Sequence, residues 1–376
     1  MQNGRPTIVN LIPSSNPAHP LLKRLPEIGE VFHRDRMSEE EFQEVAPHAD
    51  VLVSASNLRV TDEELSHYPA LRMVGDFGVG FDGFDVPAIA RRGLRACHTP
   101  DVLSEDVADL AIGLLLALAR SLPAADAFVR AGRWPNENFP LGRRIAGCRI
   151  GIAGLGRIGK VVAERAKAFR MEVGYTARAP KDVPWQYFKS VKDLAAWCDA
   201  LIVVIPATPE THHLINREVL EALGSKGFLV NIARGALVDT EALIEALRDK
   251  TIAGAALDVF EHEPHVEDGL LKLGNVVLAP HIGSATVETR DAMAELVMEN
   301  IRLALNGQPL VLQQYVYIML DKPKGVVSAA ADKNDVTVVD LVGRAYPRRS
   351  LFPAGRLDKT STGFVLVTDD GAFAHD

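Results

Sequence analysis

Residues Arg149–Lys160 read RIGIAGLGRIGK. The run Arg149–Ala153 is apolar and short, as a buried strand is, and it meets Gly154, Gly156 and Gly159 in the spacing G-x-G-x-x-G. Helical periodicity follows at once, over Arg157–Phe169. A strand, a tight glycine turn and a helix in that order form a cradle for a pyrophosphate. Glycine allows the turn and the close backbone approach, and the helix N-terminus presents its free N–H groups to the anion. The spacing therefore predicts a dinucleotide site built from Gly154, Leu155, Gly156, Arg157, Ile158 and Gly159.

Downstream, the next strand (MEVGY) runs into Thr176, Ala177 and Arg178. An NAD-selective site places a carboxylate there to accept bonds from the ribose hydroxyls. No acid lies between Glu172 and Asp182, whereas Arg178 and Lys181 do, so the pattern favours NADP over NAD. Further apolar runs follow at Ala200–Ile205, Gly227–Ala233, Ile252–Leu257 and Asn275–Ala279, separated by helical stretches. Unalternating runs of that kind are strands covered on both faces of a parallel sheet.

Upstream, Thr7–Ile12, Val51–Ser54 and Arg72–Gly75 alternate with charged stretches at Ser38–Val45 and Thr61–Leu65, each opened by a capping residue. This is a second unit of alternating strands and helices. Between the two units Ser104 opens a helix, to residue 121, that is apolar on nearly every side. Such a helix needs a second domain or subunit to bury it, and with the Trp134 arm it is expected to form a homodimer interface. Val287–Leu305 reads as a long closing helix.

The chain has 376 residues with 47% hydrophobic and 24% charged, which excludes wholesale disorder and small disulfide scaffolds. Its net charge of -8 lacks the basic field that holds a phosphate backbone, so no nucleic acid is expected as a partner. Cys97, Cys148 and Cys198 are scattered and fit a reducing cytoplasm. The longest apolar run, Leu110–Ala119, is too short to span a bilayer, and no membrane partner is expected. His212, His213, His262 and His265 lie in loop sequence without evident carboxylate geometry, and no metal is expected.

Polar residues stand where three of the predicted strands end: Arg234 after GFLVNIA, Asp258 after IAGAAL with Glu263 close behind, and His281 after NVVLAP. In an open parallel sheet the ligand crevice lies outside those ends. Together with FGVGFDGFDV, NIARGALVD, ALDVFEHEP and APHIGSAT, these residues resemble the D-isomer-specific 2-hydroxyacid dehydrogenases, most closely the glyoxylate/hydroxypyruvate reductase branch, over residues 5–312. The resemblance implies an α/β fold of two doubly wound parallel-sheet domains. A flavodoxin-like substrate domain, split over 1–98 and 286–312, would flank a Rossmann cofactor domain at 99–285. It implies Arg234, Glu263 and His281 as catalytic residues, Asp258 and Pro206 as cofactor contacts, and the Val79 and Gly80 amides as the cradle for a substrate carboxylate. The chemistry agrees. Reducing a 2-oxo acid needs a proton donor, for which His281 beside Glu263 is suited, and a counter-charge, for which Arg234 is suited. Formate dehydrogenases, by the same resemblance, carry Gln where this chain has Glu263. A dinucleotide-sensing corepressor shares the fold without needing the trio.

From Gln313 onward there are eight Asp and no Glu against four Lys and four Arg. The text from Tyr315, including GRLD with Arg356 and Asp358, resembles part of the catalytic domain of small-subunit-ribosomal-type RNA pseudouridine synthases. It is shorter than that domain and electrically neutral, so pseudouridylation is not expected. Its apolar runs Val316–Leu320 and Phe364–Thr368 are expected to lack partners.

Overall fold

A computed structural model describes residues 4–15, 19–56, 58–308, 310, 317–343 and 350–369. The chain divides into two compact units, residues 1–308 and 309–376.

The first unit holds two parallel sheets. One has five strands, β1 (Thr7–Asn10), β2 (Glu30–His33), β3 (Val51–Ser54), β4 (Met73–Asp76) and β5 (Arg95–Cys97), in the order β2-β1-β3-β4-β5. That is the flavodoxin-like order. The other has seven, β6 (Arg149–Ala153), β7 (Glu172–Thr176), β8 (Gln186–Tyr187), β9 (Ala200–Val203), β10 (Phe228–Asn231), β11 (Gly254–Leu257) and β12 (Val276–Leu278), in the order β12-β11-β10-β9-β6-β7-β8. The chain starts in the middle at β6, moves out to β8, then crosses to β9 on the other side. This is the doubly wound Rossmann arrangement, with its switch point between β6 and β9. The central strands β6, β9, β10 and β11 are almost wholly buried, as their unalternating sequences require. The helix Val287–Leu305 packs against β4, β5 and the helix Pro20–Arg24, so the chain returns to its first sheet at the end of this unit.

One expectation needs correction. The helix Ser104–Ala119 is covered by this chain's own elements, β10, β11, β12 and the helix Arg157–Ala168, and needs no partner subunit to bury it. Its apolar character follows from its place. Ala108, Ala111 and Leu115 on it are wholly buried, and Arg165 fixes its flank through Glu105 at 2.8 Å and Asp109 at 2.5 Å. The exposed apolar surface lies further on, at Leu122, Val129, Trp134 and the fully exposed Leu141.

The second unit is a three-stranded antiparallel sheet of β13 (Tyr317–Lys322), β14 (Phe352–Pro353) and β15 (Gly363–Thr368), ordered β13-β15-β14. The two apolar runs expected to lack partners pair with each other, Leu320 opposite Val365 and Ile318 opposite Val367. Val326, Val338, Leu351, Val365 and Val367 form a small core. Among the described residues no single helix is long and apolar enough to cross a membrane. The three cysteines are free.

Candidate active site

The loops that leave the carboxyl ends of β4, β10, β11 and β12 meet on one rim. β12 delivers His281, whose backbone is left-handed at φ 54°, a conformation that costs free energy for any residue with a Cβ. Asp258, at the end of β11, holds that turn in place. Its two carboxylate oxygens accept the Ile282 and Gly283 N–H groups, both at 2.8 Å, and its carbonyl accepts the His281 N–H at 2.8 Å. Asp258 is 1% exposed, and burial pushes its carboxyl above the usual range against the pull of those two N–H bonds.

Glu263 accepts a bond from His281 Nδ1 at 2.7 Å, and its other oxygen accepts the Phe260 N–H at 2.9 Å. Burial opposes the charge on Glu263, yet the bond to His281 and the nearby charges of His281 and Arg234 hold its carboxyl below the usual range. The carboxylate therefore stays ionised and fixes the ring through Nδ1. Nε2 is left as the nitrogen free to act on a ligand, on a side chain 40% exposed.

Arg234 follows β10 and reaches across to the loop after β4. Its Nε and Nη2 donate to Asp82 Oδ2 and Oδ1, each at 3.1 Å, and Nη1 donates to the Ala233 carbonyl at 2.8 Å. Gly80 lies directly beneath: a Cβ there would overlap Arg234 Nη2. The loop that carries Val79 and Gly80 is itself tied down. The Thr99 N–H and hydroxyl donate to the Gly78 carbonyl at 2.7 and 2.9 Å, and His98 Nδ1 lies 2.9 Å from the Val79 carbonyl. Beside it Asp76, fully buried, accepts from the Ser56 hydroxyl at 3.0 Å through one oxygen, while the other has no partner. Burial pushes this carboxyl up to about 7. Sequence reading missed Asp82 and Asp76; FGVGFD contained the first, but its partner lies 152 residues away.

At the glycine turn Gly154 has φ 105°, and a Cβ there would press on the Val204 carbonyl at 2.9 Å. Gly156 caps the helix Arg157–Ala168 with no side-chain bond and faces open space, so the first N–H groups of that helix are available and nothing blocks approach to them. A dinucleotide pyrophosphate fits this cradle. Leu155 and Ile158 pack inward or stand half-buried, and the Gly154 and Leu155 N–H groups both bond the Thr176 carbonyl at 3.2 Å. Arg157 pairs with Asp101 at 2.8 Å. Ala177 is half-buried, and Arg178 is exposed with no carboxylate partner among the described residues. Pro206 is exposed after β9, its carbonyl bonded by Thr211 at 2.9 Å.

Of the loop histidines, His213 and His262 do have carboxylate partners, contrary to expectation. Glu267 lies 2.9 Å from His262 Nδ1, and Glu261 accepts from His213 at 2.7 Å and from the Thr240 hydroxyl at 2.9 Å. With His212, His213 and Glu261 could place three ligand atoms within 4.8 Å of one another. The observed bonds already satisfy Glu261 and tie the loop after β9 to the one that carries Glu263.

Residues 112–283 match the family described as D-isomer specific 2-hydroxyacid dehydrogenase, NAD binding domain, and residues 316–376 match the RNA pseudouridylate synthase family. The glyoxylate/hydroxypyruvate reductase A of Arabidopsis thaliana is 49% identical over 248 residues, 66% of this chain and 79% of that protein. The hydroxyphenylpyruvate reductase of Plectranthus scutellarioides is 48% identical over 261 residues, 69% of this chain and 83% of its own. Among solved structures, an NADPH-dependent glyoxylate/hydroxypyruvate reductase from Sinorhizobium meliloti, in complex with NADP and malonate, superposes with a TM-score of 0.75. It is 39% identical and covers 82% of this chain and 96% of its own. The chain is therefore an NAD(P)-dependent oxidoreductase that belongs to the D-isomer-specific 2-hydroxyacid dehydrogenase family.

Proposed function

We propose that this enzyme reduces small 2-oxo acids, glyoxylate and hydroxypyruvate foremost, to the 2-hydroxy acids, with NADPH preferred and NADH accepted. The observation that carries the reading is the rim itself: an imidazole oriented by an ionised carboxylate at 2.7 Å, with a guanidinium and the Val79–Gly80 loop opposite. A reduced nicotinamide cofactor, held at the glycine turn of Gly154, Gly156 and Gly159, would supply the hydride that the carbonyl carbon needs. Arg234 and the Val79 and Gly80 amides hold the substrate carboxylate, and Arg234 draws charge toward the carbonyl oxygen as it becomes an alkoxide. His281 Nε2 gives that oxygen its proton, and Glu263 offsets the charge on the imidazolium before transfer. Carbon gains the hydride, oxygen gains the proton, and the carboxylate leaves unchanged in the 2-hydroxy acid.

Arg178 supports the cofactor preference, because an unpaired guanidinium at the end of β7 can bond a 2′-phosphate that a carboxylate would repel. A charge-assisted contact of ~1.5–3 kcal/mol corresponds to roughly 10- to 150-fold. Thr176 and Ala177 beside it, Pro206 and Asp258 complete the dinucleotide contacts in this reading. A homodimer is proposed through the arm that exposes Leu122, Val129, Trp134 and Leu141. The test follows the absorbance of NADPH and NADH, in parallel, with glyoxylate, hydroxypyruvate and phenylpyruvate. Arg178→Ala should collapse the NADPH/NADH ratio of kcat/KM, and an unchanged ratio would remove Arg178 from the cofactor site. No turnover of any of these acids would sink the reductase reading.

A further inference from the structure

We propose that Asp82 is a positioning residue for the reduction: from the opposite side of the cleft it fixes the guanidinium of Arg234 and so selects which of its N–H groups are offered to the substrate. The inference rests on the reading of Arg234 as the residue that holds the 2-oxo acid.

A guanidinium carries five N–H groups in one rigid plane. Asp82 takes two of them, the Nε–H and one on Nη2, in a bidentate pair with both distances at 3.1 Å. The Ala233 carbonyl takes a third, on Nη1, at 2.8 Å. Two remain, one on each terminal nitrogen, and the substrate must use these. Side-chain exposures of 26% for Arg234 and 35% for Asp82 leave the pair partly open to solvent, and its fork of two parallel bonds sets direction as well as charge. Gly80 completes the arrangement, since its missing Cβ is what lets Nη2 lie against the Val79–Gly80 loop.

The two partners belong to different sheets, Asp82 to the loop after β4 and Arg234 to the loop after β10. The bond therefore spans the cleft between the domain that would hold the substrate and the domain that would hold the cofactor. Asp82 carries acceptors only and cannot itself donate to a carboxylate or a carbonyl. Its contribution passes through Arg234. Without it a long side chain with four rotatable torsions has one anchor, the Ala233 carbonyl, and must be ordered again at each binding event.

The test is a double-mutant cycle on the full chain. Asp82→Ala should lower kcat/KM for glyoxylate by at least about tenfold, chiefly through KM, with NADPH affinity and melting temperature unchanged. Asp82→Asn, which keeps one acceptor, should recover part of the loss. In an Arg234→Lys background, where no fork exists, Asp82→Ala should cost little more than Arg234→Lys alone. Wild-type kcat/KM in Asp82→Ala, or losses that simply multiply in the double variant, would overturn the proposal. An Arg234→Lys chain with wild-type kinetics would instead overturn the reading of Arg234 on which it stands.

Discussion

His281 and Glu263 make a pair whose two members fail differently. His281→Ala removes the proposed proton donor but touches nothing at the glycine turn, so reduction should fall by at least ~100-fold while NADPH affinity, read by fluorescence titration, stays near wild type. Glu263→Gln keeps the shape and loses the charge. The Gln side chain cannot offset an imidazolium charge, so kcat should fall by at least ~10-fold with NADPH affinity unchanged, and a wild-type kcat in this variant would remove Glu263 from the reaction. Asp76 yields a stability prediction instead. Its folded carboxyl titrates at about 7, above the unfolded value near ~3.9, so the folded chain holds the extra proton between those pH values. Stability is therefore lost as pH rises through that window, by up to about 4 kcal/mol, and the deficit persists above it. Asp76→Asn carries no charge to bury. Its melting temperature should gain on wild type from pH 4 to pH 8, and a constant difference would show that the buried acid does not titrate there. Arg234, Glu263 and His281 could be picked out of the sequence because each follows an apolar strand. The Arg234–Asp82 bond could not, because it joins loops of two different sheets.

Elements buried on both faces were legible for the same reason. β6, β9, β10 and β11 appear in the sequence as unbroken apolar runs, and Val287–Leu305 is the helix its periodicity predicts. The strands that escaped notice, β2, β5, β8 and β14, lie at sheet edges, are four, three, two and two residues long, and are partly exposed. An edge strand is covered on fewer sides and leaves a weaker hydrophobic signature. The helix Ser104–Ala119 misled in the opposite way, because continuous apolarity reports burial without saying by what. The glycine turn allows a test of an element rather than a residue. Gly156 has an ordinary φ of -82°, and a Cβ at this position would meet nothing within 4 Å, so Gly156→Val should fold normally. The added side chain would occupy the approach to the helix N-terminus. NADPH affinity should drop by at least ~10-fold, with thermal stability in the absence of cofactor unchanged. Undiminished NADPH affinity would mean that the pyrophosphate does not lie over this helix end.

The two compact units meet at Gln308–Pro309, a few residues before the change of composition at Gln313. The reductase elements are complete on the first side of that line: both sheets, the glycine turn, and every residue of the rim lie within residues 1–308. Arg95, which bonds the carbonyls of Gly307 at 3.3 Å and Gln308 at 2.8 Å, closes the end of the long helix within the same unit. The second unit has its own sheet and its own core, and its described strands pair with each other. It still presents Met319 at 80% and Phe364 at 64% exposure on paired strands, an apolar surface that favours association. Deleting residues 315–376 should therefore leave kcat and KM within about twofold of the full chain, since no strand or rim residue is removed. It should also reduce aggregation on heating, because the exposed apolar strands go with it. Steady-state kinetics and light scattering during a thermal ramp, run on both chains, decide the matter. A large loss of activity on deletion would show that the second unit supports the reductase, and the boundary between them would have to be redrawn.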